Sequence, residues 1–310
     1  MIFDGHSDLL WDAARRRRRG ETHVLERRHL ARLQQGGIEG LILALWADPG
    51  PGETHAQQTE ELFVCARAEF SESPWLAVVR SAAEAEQARA EGKMYAFLSV
   101  EGMAAIGADM AAIDRYADLG ARMGMLTWNE ENLLATGAKG DRYSGLTDLG
   151  RQAVRRMEDL GMLPDVSHLN DGGFADVVRL ARGRVIASHS NCRALCDVPR
   201  NLTDDQLRAI RDAGGVVGLN VHHAFVHAEP RRQTAEMLSC HAAHMAEVMG
   251  VEHVACGFDF CEFFGPGNEG AEGLENCAHA GNLLYWLEKR GFGKGEIRQI
   301  AVENFLRVLA

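Results

Sequence analysis

Eight short apolar, β-favouring runs alternate with longer segments of helical periodicity along the chain, and this alternation constrains the fold more than any other feature. The runs are residues 1–3, 38–46, 94–100, 124–127, 162–166, 185–188, 216–220 and 253–257. Short apolar runs separated by amphipathic helices read as βαβ units, which build a parallel sheet with both faces covered. Most gaps hold one helix. Residues 148–160 carry apolar side chains at helical spacing, and Thr203-Asp204-Asp205 is a cap-like opening for a helix over 203–213. Eight such units predict an α/β fold, the (β/α)8 TIM barrel. Barrels of this kind routinely reach about 250 residues or more as one unit, so a single domain over 1–310 is expected.

No low-complexity or Pro/Ser-rich linker divides the chain. The stretch 47–54, with Pro49, Gly50, Pro51 and Gly52, and the Gly-rich stretch 265–273 are loops that follow apolar runs. Barrel enzymes place binding loops at such strand C-terminal ends.

Charge and cysteine usage narrow the functional classes. A formal net charge of −11 argues against a nucleic-acid partner, whose binding rests on Lys and Arg neutralising phosphates. The one basic cluster, Arg15 to Arg19, reads as a solvated face of the first helix. Seven cysteines at irregular spacings suggest reduced, buried thiols rather than a disulfide framework. Cys192 and Cys196 lack the second pair a structural zinc site needs. The first residues carry no basic segment followed by an apolar stretch, and no run of about 18 apolar residues occurs, so the expectation is a cytoplasmic protein without a membrane partner.

Ligand-type residues fall at the ends of these runs: His6 and Asp8 after the first, Glu101 after the third, His168 after the fifth, His189 after the sixth and Asp259 after the eighth. All would therefore share the rim where barrel chemistry sits. In His6-Ser7-Asp8, two ligand types stand two residues apart and an extended backbone aims both to one side. Glu101 ends a buried strand, where a carboxylate needs a cation or several donors; an arginine is one solution, and bridging two metal ions about 3.5–4 Å apart is the other. His168 and His189, at the ends of adjacent runs, suit a borderline-soft ion such as Zn2+. His222 and His223 follow the seventh run, where His222 is a candidate pocket residue. His241 and His244 share a helical face and read as solvated.

In order along the chain, the segments Asp4-Gly5-His6-Ser7-Asp8, Val100-Glu101-Gly102, Gly145-Leu146-Thr147, Gly161 to His168, Ala187-Ser188-His189-Ser190, Pro199-Arg200-Asn201-Leu202, Gly257-Phe258-Asp259-Phe260 and Glu303 to Val308 resemble the membrane (renal) dipeptidase family of binuclear zinc peptidases. The resemblance implies two Zn2+ per chain: His6 and Asp8 on one, His168 and His189 on the other, Glu101 bridging. It also implies Asp259 as the catalytic carboxylate and Arg200 as the receiver of the substrate's terminal carboxylate, a bidentate task that suits a guanidinium. A homodimer is what the family suggests.

Two positions depart from the family pattern. Trp128, in Leu126-Thr127-Trp128-Asn129, stands where dipeptidases of the family place a His thought to contact the scissile carbonyl, which makes Trp128 and Asn129 candidate substrate-binding residues. After Asp259 the chain reads Phe260-Cys261-Glu262, where the family often has Phe-Asp-Gly. The function expected is hydrolysis of small dipeptides through a metal-bridging hydroxide, with Asp259 as general base and then acid. The alternative keeps the metals and changes the substrate to a lactone, a cyclic amide or a peptide natural product.

Overall fold

The computed structural model describes residues 1–310. Eight strands are formed: β1 (Ile2–Ser7), β2 (Ile38–Trp46), β3 (Leu76–Val78), β4 (Met94–Glu101), β5 (Ala121–Met125), β6 (Leu163–Pro164), β7 (Val217–Leu219) and β8 (Val254–Cys256). The residues group into two compact units, one of Met1–Ser7, His29–Ile42 and Ala187–Ala310, the other of Asp8–Arg28 and Leu43–Ile186.

In the unit containing Leu43–Ile186, β3, β4, β5 and β6 pair in parallel, with Val100 opposite Gly124 and Gly124 opposite Pro164. Every residue of β4 is buried, as expected of a parallel strand covered on both faces. Helices fill the connections. Thr54 opens His55–Glu72 with a capping box through Gln57, and Thr147 caps Asp148–Asp159 through the backbone N–H of Gly150. Gly120, at φ +118, ends Ala112–Leu119 in the left-handed region and turns the chain directly into β5.

The other unit carries the parallel pair β7–β8, with Gly218 opposite Ala255. Residues 185–188, expected as a strand, form only single bridges, Asp165 with Ile186 in one unit and Ala187 with Val217 in the other. Thr203 caps Asp204–Asp212 in a capping box, as its sequence suggests.

Two sequence expectations need correction. The arginine cluster is not a simple solvated face: Arg16 pairs with Asp12 (2.7 Å), and Arg17 reaches the buried Glu69 (2.6 Å) and Glu72 (2.8 Å) on the neighbouring helix. His241 is core, wholly buried, accepting from Cys192 N–H at Nδ1 (3.1 Å) and donating from Nε2 to Val226 O (2.8 Å). Burial lowers its pKa to about 4, so the ring is neutral. All seven cysteines are free thiols.

Candidate metal centre

Three segments approach closely in the first unit, two of them through glycines. A Cβ on Gly218 or on Gly257 would collide with the carbonyl oxygen of Ser188, so only glycine lets these backbones meet. One or two residues beyond each contact point stand His189, Asn220 and Asp259. Close backbone approach thus brings three polar side chains from distant sequence together.

His6, on β1, faces His189 with ring centroids 3.9 Å apart, and both are wholly buried. A ligand atom of His6 lies within 4.8 Å of one on His189 and within 4.8 Å of one on Asp259. Asp4 braces this arrangement: its Oδ1 accepts from Phe258 N–H (2.8 Å) and His6 N–H (3.3 Å). Burial raises the Asp4 carboxyl to about 7. Asp259 adopts φ +59, a left-handed conformation uncommon outside glycine, and its Oδ2 accepts from Asn220 Nδ2 (2.9 Å). Cys261, in place of the family's usual aspartate, directs its thiol at Asp259 O (3.3 Å) and Oδ1 (3.5 Å).

Arg200 is 7% exposed, with its guanidinium carbon 5.4 Å from the centroid of the Phe225 ring and its nitrogens 3.5 Å from Ser190 Oγ and 3.4 Å from His189 O. The His222 ring stacks with both His223 (4.7 Å) and Phe225 (4.5 Å). Burial first, then His223 and Arg200, lower its pKa to about 4, so it is a neutral imidazole beside a cation.

In the second unit, Glu101 ends β4 and is 3% exposed. Its partner is an imidazole: His168 Nε2 stands 2.8 Å from Glu101 Oε1. His168 Nδ1 is in turn 3.1 Å from Asn129 Oδ1. Asn129 begins a hairpin loop whose far side, Ala138, donates from its backbone to His168 O (2.8 Å). Gly137 is required there, because a Cβ would strike the backbone of Trp128 and Asn129. Trp128 lies 5.2 Å from Trp46 and 6.2 Å from His168, with Lys139 Nζ over its ring at 5.4 Å. Asp8, two residues beyond His6, is also buried.

The donors suit a borderline divalent ion: imidazole nitrogens and carboxylate oxygens, buried where such groups need a cation to offset lost hydration. Sequence reasoning passed over Asn220 and Asp4. Asn220 ends the seventh apolar run and was open to the same strand-end argument as the others, but an amide draws less notice than an ionisable group.

Parallel strands that end in such donor sets define a metal-dependent hydrolase. The chain matches the family described as membrane dipeptidase (peptidase family M19) over residues 1–310, and it belongs to that family. A metallo peptidase from Rhodobacter sphaeroides, solved with a phosphinate mimic of the dipeptide L-Ala-D-Ala, superposes with a TM-score of 0.88 at 27% identity, covering 99% of this chain and 98% of that one. A dipeptidase of family M19 gives 0.86 at 29% identity, covering 99% and 97%. An uncharacterized protein in the pqqA 5' region of Klebsiella pneumoniae is 34% identical over 238 residues, 74% of this chain and 86% of that protein. The fold class is accordingly α/β of the (β/α)8 kind, and the chain is a metallodipeptidase, a hydrolase acting on dipeptides. No helix is long and apolar enough to cross a membrane.

Proposed function

We propose that this metallodipeptidase uses two zinc ions, held by His6, Asp8, Glu101, His168 and His189 with Glu101 shared, and that Asp259 carries the proton. The observation that weighs most is the buried facing pair His6 and His189 beside Asp259. Zinc, when bound, lowers the pKa of water to about 7 and polarises a carbonyl.

The chain's own groups do the rest. Asp259 accepts the proton of the attacking water and returns it to the leaving amine. Asn129 Oδ1 as acceptor for His168 Nδ1–H would fix the tautomer in which Nε2, 2.8 Å from Glu101 Oε1, could bind an ion. Arg200, held flat against Phe225, receives the dipeptide's free carboxylate in a charge-assisted pair. Neutral His222, alongside it, adds a hydrogen-bonding edge without competing for the anion. Trp128 sets an aromatic wall where the family pattern has a polar contact to the scissile carbonyl, and bound metal would supply the polarisation that contact otherwise gives. The dipeptide mimic bound by the Rhodobacter sphaeroides peptidase supports an L,D-dipeptide such as L-Ala-D-Ala among the substrates. Free thiols throughout, five of the seven buried, support a reducing compartment such as the cytoplasm.

Metal analysis after reconstitution tests the centre: two zinc ions per chain are expected, one would restrict the assignment, and none would end it. Asp259→Asn should lower dipeptide turnover by about 10²–10⁴-fold with zinc content unchanged. Wild-type turnover in that variant would remove Asp259 from the mechanism. A panel of L,L and L,D dipeptides with lactones separates peptide hydrolysis from the alternative that Trp128 raises.

A further inference from the structure

We propose that Asn220 is a positioning residue for Asp259: it holds Oδ2 and so fixes the orientation of the carboxylate that exchanges the proton. This rests on the assignment of Asp259 above and adds a second residue to it.

The amide is wholly buried and cannot be turned round. Its Oδ1 accepts from His222 N–H at 2.7 Å, and a backbone N–H can only donate, so the end facing Asp259 must be the NH2. That end donates to Asp259 Oδ2 at 2.9 Å. The backbone of Asn220 is clamped on both sides by Asn191, which accepts from Asn220 N–H at Oδ1 (3.0 Å) and donates to Asn220 O (2.8 Å). Asn191 N–H is in turn accepted by Asn201 Oδ1 (3.2 Å), and Asn201 Nδ2 donates to Cys196 O (2.8 Å) and Phe225 O (2.9 Å). Three buried amides thus fix one another. The last of them adjoins Arg200 in sequence.

Asp259 is the residue that needs such support. Its φ of +59 persists only where surroundings over-determine it, and a carboxylate free to rotate would present either oxygen to the substrate. The Asn220 N–H on Oδ2 opposes that rotation, and the Cys261 thiol, a weaker donor, approaches Oδ1 at 3.5 Å.

The two ends of Asn220 do different work, which makes the role separable from mere structure. Aspartate at this position keeps an acceptor for His222 N–H, loses the N–H donors toward Asp259 Oδ2 and His189 O (3.5 Å), and sets a second carboxylate against Asp259. With zinc-loaded protein and L-Ala-D-Ala, Asn220→Asp should lower kcat by about 10²-fold and leave KM within about threefold, at unchanged zinc content. In an Asp259→Asn background the same substitution should cost nothing further, because Asn220 acts through Asp259. Should Asn220→Asp fail to fold or hold zinc, Asn220→Ser carries the same cycle. Wild-type kcat in the single variant, or losses that multiply in the double variant, overturns the inference alone. Wild-type activity in Asp259→Asn overturns the Asp259 assignment, and this inference with it.

Discussion

Replacing Gly257 with alanine should destabilise the protein by about 3–5 kcal/mol, an unusually large effect for one methyl group. The added Cβ would overlap the carbonyl oxygen of Ser188 and sit 2.9 Å from its carbonyl carbon and 3.0 Å from Gly218 Cα. All three obstacles are backbone, so no side-chain rotation relieves them. Relief means spreading segments joined by Ser190 N–H to Gly218 O (2.7 Å), Gly218 N–H to Ala187 O (2.8 Å) and Gly257 N–H to Leu219 O (3.2 Å). Stretching, without fully breaking, three bonds worth about 1 kcal/mol each costs about 2 kcal/mol, and about 1–3 kcal/mol for overpacking brings the total to that range. At about 2–4 °C per kcal/mol, the melting midpoint should fall by on the order of 10 °C. Circular dichroism melts of the zinc-loaded variant measure it, with Gly295→Ala as control. No atom lies within 4 Å of a Cβ at that helical position, so the control should gain about 0.5–1 kcal/mol. A Gly257→Ala midpoint within 2 °C of wild type, by the same conversion, would refute the steric argument.

Two further outcomes address the substrate and the metal. Arg200→Met should raise KM for free dipeptides by the loss of a charge-assisted pair, about 1.5–3 kcal/mol, and leave amidated dipeptides, poor substrates of the wild type, nearly unaffected; equal wild-type cleavage of both classes would contradict carboxylate recognition. Asn129→Leu should weaken zinc binding by about 10–100-fold in competition with a chelator, and unaltered affinity would show that His168 needs no orienting partner.

The parts legible in the sequence are those whose signal is local. Residues 38–46 read as a strand because the unbroken apolar run from Leu41 to Trp46 favours burial on both faces, and β2 spans Ile38–Trp46. Thr203 announced its helix through a cap three residues from its partner. Residues 185–188 fail as a strand because only isolated bridges form on each side, a matter of tertiary register. His241 was misread for a related reason: its partners, Cys192 N–H and Val226 O, lie 49 and 15 residues away. At the site, residue type and strand-end placement pointed to the ligand candidates and Asp259, and the resemblance gave each a role. The part played by Asn129 was hidden, since an amide that orients an imidazole looks the same in sequence as one that meets substrate.

The left-handed backbone at Asp259 restricts which residues evolution or a designer can place there. Asp and Asn tolerate φ near +59 better than other residues bearing a Cβ, so conformational cost and chemistry are tied at one position. Lengthening the carboxylate to Glu would disturb the main chain as well as the reach of the acid. Accessible single-residue variation should therefore run along Asp, Asn and Gly, and of these only Asp can carry a proton. Under the role proposed for Asp259, a relative with Asn or Gly at this position would keep the local fold and lack the acid–base group, and this one site would separate active members of the lineage from descendants that only bind.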